Sequence, residues 1–152
     1  MNKEPFLKNE YVPLLKKLTG EEKGNWGVLS PQGMIEHMTD SIGIGWGRIK
    51  EPLQTPVHVL EKVKAFAMSD KEFKPGTPNS LMTAEPAPLR HANIELAVEE
   101  IQNEINSFIN FYHQNPTAII QNPFFGDFNY TEWLHLLHKH AIHHLKQFGV
   151  EC

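Results

Sequence analysis

Residues 131–149, TEWLHLLHKHAIHHLKQFG, decide how this chain is read. They hold five of its nine histidines in one run with no glycine or proline before Gly149. The spacing predicts a helix. At about 100° per residue, each side chain can be placed relative to His140. Trp133 then falls at about +20°, Leu137 at about +60°, Phe148 at about +80° and Ala141 at about +100°. His144, at about +40°, lies inside this apolar stripe, and His140 lies at its edge. Two imidazoles one turn apart therefore face the core, side by side, as a metal-binding pair would. His143 sits on the flank, at about −60°. His135, His138, Lys139 and Lys146 turn away, and His135 and His138 are expected to be exposed and dispensable. Two readings fit this helix alone. Each core histidine could be neutral and bonded to a carbonyl, or the pair could ligate. A zincin motif would need Glu directly after the first histidine, and residue 141 is Ala. A third ligand from another element is needed to decide.

Working outward, Asn129 with Glu132 makes a capping box at the start of this helix, and Gly149 is its C-cap. The preceding stretch, TAIIQNPFFGDF, reads as a loop, with no convincing β-hairpin in the chain. Before it, Ile94, Ala97, Ile101, Ile105, Phe108 and Tyr112 step by three and four and predict a helix over about residues 90–114. Asn115-Pro116 ends it.

A further helix starts at Ser30-Pro31. Serine is a good N-cap, and proline at the first helical position loses only an amide that would be orphaned anyway. It is expected to run to about Lys50, with Pro52 beyond it. Its apolar stripe is Ile35, Met38, Ile42, Trp46 and Ile49. His37 lies beside that stripe, among Gly33, Ser41 and Gly45. Four glycines in such a helix cost roughly 1 kcal/mol each relative to alanine. Close helix packing or room for a metal site would compensate. The first helix is expected over residues 4–18, with Pro13 kinking or dividing it. Residues 51–89 contain six prolines. They hold a short helix over residues 58–66 and then a long loop. Phe66, Met68, Phe73, Leu81 and Met82 anchor that loop, which is expected to be ordered and to cover the open end of the fold near His37.

Four long helices, no sheet and loops at the ends give an all-α four-helix bundle in one domain, residues 1–152. Metal sites in such bundles are built from side chains on facing helices. His37 is the natural third ligand to His140 and His144. Hydrophobic residues make up 40% and charged residues 21% of the chain, as in an ordinary soluble protein. No apolar run approaches the ~20 residues of a membrane span. The N-terminus carries no signal-peptide pattern. A single cysteine, Cys152, excludes an internal disulfide, and a cytoplasmic location is expected. A formal charge of −4 without a basic cluster argues against nucleic acid.

Residues 26–38, WGVLSPQGMIEHM, resemble the second-helix signature of the DinB-like (YfiT-like) superfamily of metalloenzymes. Residues 140–149, HAIHHLKQFG, resemble its last-helix signature. Residues 122–126, NPFFG, match a subgroup of bacterial proteins within it. The resemblance spans residues 26–149 and lapses over residues 51–89. It implies a four-helix bundle with three histidines on one divalent ion, often zinc or nickel, and carries over to His37, His140 and His144. Relatives of this kind include thiol-dependent S-transferases and an isomerase.

Two function classes follow. As an enzyme, the site would hold an ion with an open position. It would acidify water for hydrolysis or bind a low-molecular-weight thiol for transfer to a small-molecule substrate. Asp40 and Gln147 would hold the second nitrogens of the ligands, and Glu36 or Asp40 could carry a proton. As a non-catalytic module, the metal would serve binding or folding, with a closed ligand sphere. The apolar loops also make a homodimer plausible.

Overall fold

The computed structural model describes residues 3–74 and 88–151, which are mostly helical. Helix α1, Tyr11–Leu15, continues a π-helical turn over Phe6–Glu10, where the Tyr11 amide bonds the Phe6 carbonyl. Pro13 explains this widening. It has no amide to offer residue 9 and its ring crowds that carbonyl. Proline thus alters the first helix without dividing it. Helix α2 is Pro31–Gly45, α3 is Val57–Met68, α4 is Ile94–Gln114 and α5 is Tyr130–Gln147. Helix α2 packs most extensively on α4 and also on α5. Helix α1 touches both α4 and α5, and α3 lies on α5. Tyr11, Leu15, Met34, Met38, Ile42, Ile101, Ile105, Phe108, Trp133 and Leu137 are buried in a common core. Among the described residues, no helix is long and apolar enough to cross a membrane.

The capping signals place the helices. Ser30 Oγ accepts the Gly33 amide at 3.0 Å with Pro31 at the first position of α2. Asn129 and Glu132 form the complete capping box of α5. Gly149, at φ +73°, ends α5 with the Val150 amide on the Leu145 carbonyl and its own on Lys146. This is a Schellman closure, which needs a left-handed residue at that point.

Three expectations need correction. Helix α2 ends at Gly45, a turn early, because Gly47 takes φ +85° and turns the chain away. Helix α4 starts at Ile94, where Asn93 caps the Leu96 amide. And residues 120–128 are a hairpin. β1, Ile120–Asn122, pairs antiparallel with β2, Gly126–Phe128. Asn122 Oδ1 accepts the amides of Phe124 and Phe125 at 2.8 and 3.1 Å, and Gly126 takes φ +86°. A three-residue loop closed by a left-handed glycine is a common hairpin solution.

The glycines of α2 answer to packing. A Cβ on Gly45 would lie 3.0 Å from Phe108 and 3.2 Å from Trp133. One on Gly43 would meet the Arg48 guanidinium and Glu104. Neither glycine abuts a histidine of the site.

The segment after α3 runs along the outer face of α5, with the Phe73 ring against His140. On return, Leu89 lies beside Gly33, and the Arg90 amide donates to Glu36 Oε1 at 2.6 Å. Both described flanks of residues 51–89 therefore reach the histidine-bearing helices. Leu81 and Met82, named as anchors of a cover, lie outside the described residues.

Candidate metal centre

Helix α2 supplies His37 and α5 supplies His140 and His144. Their rings converge. His37 Nε2 lies 3.2 Å from His140 Nε2, and His144 Nε2 lies 3.0 Å from His140 Nε2. The ring centroids are 4.8–5.2 Å apart. Nitrogens bound tetrahedrally at about 2.0–2.1 Å would be about 3.3 Å from one another. The observed spacing fits such an ion.

The protonation pattern supports that fit. His144 Nδ1 is 2.7 Å from Gln147 Oε1, and Gln147 Nε2 donates to the Trp26 carbonyl at 2.8 Å. A carbonyl accepts only, so the amide nitrogen must face Trp26 and its oxygen must face His144. Nδ1 of His144 therefore carries the proton, and Nε2 presents a lone pair toward His140. This is how an outer-shell partner fixes the tautomer of a ligating histidine. The backbone supports Gln147 as well. The Asn25 amide donates to the Gln147 carbonyl at 2.7 Å. Gly27, at φ +76°, leaves room where a Cβ would sit 2.9 Å from Gln147 Nε2.

Electrostatics keep all three imidazoles neutral. Burial lowers the His144 pKa to about 3, helped by His37 and opposed by the Gln147 bond. Burial, then the neighbouring imidazoles, holds His140 well below the usual histidine range. Burial also lowers His37, against a smaller opposing effect of Asp40. Neutral imidazole is the form that ligates.

Of the expected partners, Gln147 takes its place. Asp40 does not: its carboxylate accepts Arg90 Nη1 at 3.1 Å and reaches His37 through charge alone. Glu36 is buried and occupied. It accepts the Arg90 and His91 amides and Gln32 Nε2, and so ties the start of α4 to α2. It is not placed as a proton carrier. His143 stays outside the cluster. Its ring lies against Trp26 and His144, with centroids 5.3 and 5.1 Å away. Among the described residues, no fourth His, Cys, Asp or Glu joins the three.

The outward face of α5 contradicts its reading as solvated. His135 and His138 are half-buried, and Lys139 is only 9% exposed. His138 meets the Phe6 ring edge-on at 4.6 Å. His135 Nε2 reaches the Ser69 carbonyl at 3.1 Å. The segment after α3 covers this face. A cavity of about 380 Å³ lies there, with Trp26, Phe73, Ile142 and His143 among its walls and none of the three clustered histidines lining it. Reasoning from sequence named Gln147, and named Phe73 as an anchor of the covering loop, but missed the Trp26 carbonyl and the packing of Lys139. Gly27, which follows Trp26 and takes φ +76°, was the available signal for the first.

The chain belongs to the DinB superfamily, whose family model matches residues 9–148. No curated protein and no solved structure matches it.

Proposed function

We propose that this chain is a metal-dependent enzyme built on a four-helix bundle, with His37, His140 and His144 holding one divalent ion, zinc or nickel. The observation that carries this reading is the convergence of three neutral imidazoles, with the His144 lone pair fixed by Gln147. Such an ion, when bound, keeps its full charge and lowers the pKa of a water or a thiol at its open position. That chemistry serves hydrolysis or transfer of a low-molecular-weight thiol to a small electrophile.

The chain's own residues do the rest. Gln147 orients His144, and the Trp26 carbonyl orients Gln147. His140 and His37 are half-buried while His144 is buried, so the cluster is reached from the His37–His140 edge. The cavity under the segment after α3 is of a size that takes a small molecule, and two of its walls, Phe73 and His143, pack on His140 and His144. A purely structural centre needs a fourth protein ligand, and among the described residues none joins the three. This favours an open site over a closed binding module. We place the enzyme in the cytoplasm, acting alone or as a homodimer, on small molecules and not on nucleic acid.

The test is elemental analysis of protein purified without an affinity tag, beside His144→Ala. One equivalent of metal is expected in the parent and none in the variant, with the helical far-UV signal retained in both. The loaded parent is then screened on esters and amides, and separately on thiols paired with electrophiles. Full metal occupancy in His144→Ala removes the proposal.

A further inference from the structure

Lys139 is a buried ammonium with no carboxylate bonded to it among the described residues; Asp70 acts on it only through charge. Burying a charge is costly unless its donors are satisfied. Here Nζ donates to the carbonyls of Phe66, Ser69 and Ala67 at 3.0, 3.3 and 3.5 Å. These belong to the last turn and cap of α3, the negative end of its dipole. The ammonium also lies 4.5 Å from the Phe66 ring centroid and 5.1 Å from that of Phe73. Both distances suit a cation–π contact.

Lys139 is not alone on its face. Residues 135, 139, 143 and 146 follow one stripe of α5, at steps of four, four and three. Each grips the segment that leaves α3. His135 takes the Ser69 carbonyl, His143 bonds the Phe73 backbone, and Lys146 pairs with Glu72. The result is a rail of polar contacts that fixes residues 69–73 along α5. At its end the Phe73 ring stands nearly perpendicular to His140 and to His143, with centroids 6.2 and 6.1 Å away.

We infer that Phe73 is a wall of the metal centre that limits access to His140, and that Lys139 is the positioning residue that holds this wall in place. The inference rests on the metal reading only for what the wall encloses. It assigns Phe73 a selective role: bulky groups approaching His140 from this side meet an aromatic edge. It also gives a lysine a task at a position where leucine would pack. Leucine removes the ammonium from all three carbonyls; Phe66 and Ser69 keep Ser69 and His135 as donors, but the link from α5 to the end of α3 is lost and the segment carrying Phe73 is loosened.

The test reads access to His140 directly. The full chain, stripped of metal, is treated with diethylpyrocarbonate, and carbethoxylation of each histidine is followed by peptide mass spectrometry. Exposed His58 is the internal reference. Phe73→Ala and Lys139→Met are each expected to raise the His140 rate relative to His58 by about five-fold or more, as for a locally opened structure. Lys139→Arg keeps a charge that can donate to carbonyls and stack on rings, so it should stay within about two-fold of the parent. An unchanged His140 rate in Phe73→Ala overturns the wall. Equal rates in Lys139→Arg and Lys139→Met overturn the role of Lys139. If Lys139→Met fails to fold, Lys139→Ala takes its place in the comparison with Lys139→Arg, under the same two outcomes. Cobalt(II) uptake is measured in parallel. A parent that takes up no cobalt removes the metal reading, and the wall is still judged on His140 alone.

Discussion

Replacing Gln147 with leucine probes the centre without touching a proposed ligand. Gln147 is 3% exposed and joins His144 Nδ1 at 2.7 Å to the Trp26 carbonyl at 2.8 Å. Leucine of similar bulk removes both bonds. A buried donor and an acceptor lose their partner, at about 1–3 kcal/mol for each group that water cannot reach. The Trp26 carbonyl can recover some solvent, so a total of about 2–3 kcal/mol is expected in urea unfolding of the metal-free protein. Metal affinity should fall further than tautomer statistics alone require. If His144 merely exchanged its proton between two nitrogens, affinity would drop about two-fold. Losing the fixed ring orientation as well brings the drop to about 10–100-fold, the usual cost of an outer-shell partner. The assay is competition for zinc against a chromogenic chelator at neutral pH. Gln147→Glu is the contrast. Its carboxylate still accepts from Nδ1, more strongly than an amide does, but gives nothing to Trp26. It should lose stability and hold metal within about three-fold of the parent. A leucine variant that binds zinc within two-fold of the parent would show that Gln147 does not orient a ligand.

Three further outcomes are expected. Gly27→Ala should lower stability by about 1–2 kcal/mol from its left-handed φ of +76°. It should also weaken zinc binding, because the new Cβ displaces the Gln147 amide; intact affinity with lost stability would separate the two. Tyr11→Phe should be neutral or raise Tm, since the Tyr11 hydroxyl is buried without a partner among the described residues. Removing it saves a desolvation cost of about 1–2 kcal/mol, and a clear drop in Tm contradicts this. The third concerns pH. The folded pKa values of His37, His140 and His144 are all depressed, that of His144 to about 3. The unfolded chain therefore binds more protons below about 6.5, and the stability these groups contribute is complete above that value. It is lost as pH falls from about 6.5 toward the folded values, and metal is released in the same direction. Urea midpoints of the metal-free protein that rise between about pH 7 and pH 5 would reverse the sign and refute the burial argument.

The signals that worked in the sequence are those whose physics is local. Ser30-Pro31, the Asn129–Glu132 box and Gly149 each satisfy backbone groups within a few residues of themselves, so no tertiary knowledge is needed to place them. The i, i+4 histidines were legible for the same reason: helical geometry alone sets them on one face. His37 was legible because it is the only histidine of α2 and lies well inside that helix, whereas His58 and His113 lie at the ends of theirs. The failures are non-local or marginal. The hairpin has strands of three residues, too short for alternation to show, and its signature lies in Asn122-Pro123 and Gly126. The early end of α2 depends on Gly47 taking a positive φ, which a glycine in a helical pattern permits without announcing.

The misreading of the outer face of α5 has a more general cause. A helical wheel reports the angle at which a side chain leaves the axis. It says nothing of what lies opposite. His135, Lys139, His143 and Lys146 form a polar stripe, and water is the usual partner of such a stripe. Here its partners are backbone carbonyls and a carboxylate on residues 66–73. Composition gave no warning, because the covering segment is itself polar and rich in proline downstream. Yet one feature was anomalous. A stripe meant only for solvent has no need of two imidazoles, which are poorer helix formers than glutamate or lysine. Imidazole is short, planar and able to donate one hydrogen bond while packing its ring against aromatics, as His138 does with Phe6 and His143 does with Trp26. The histidine richness of this helix thus has two separate origins. One face sets His140 and His144 beside His37, and the other sets compact side chains beneath a crossing chain. Helix α5 is held from both sides, and the ring of His140 stands at the boundary, against His37 and His144 on one side and Phe73 on the other.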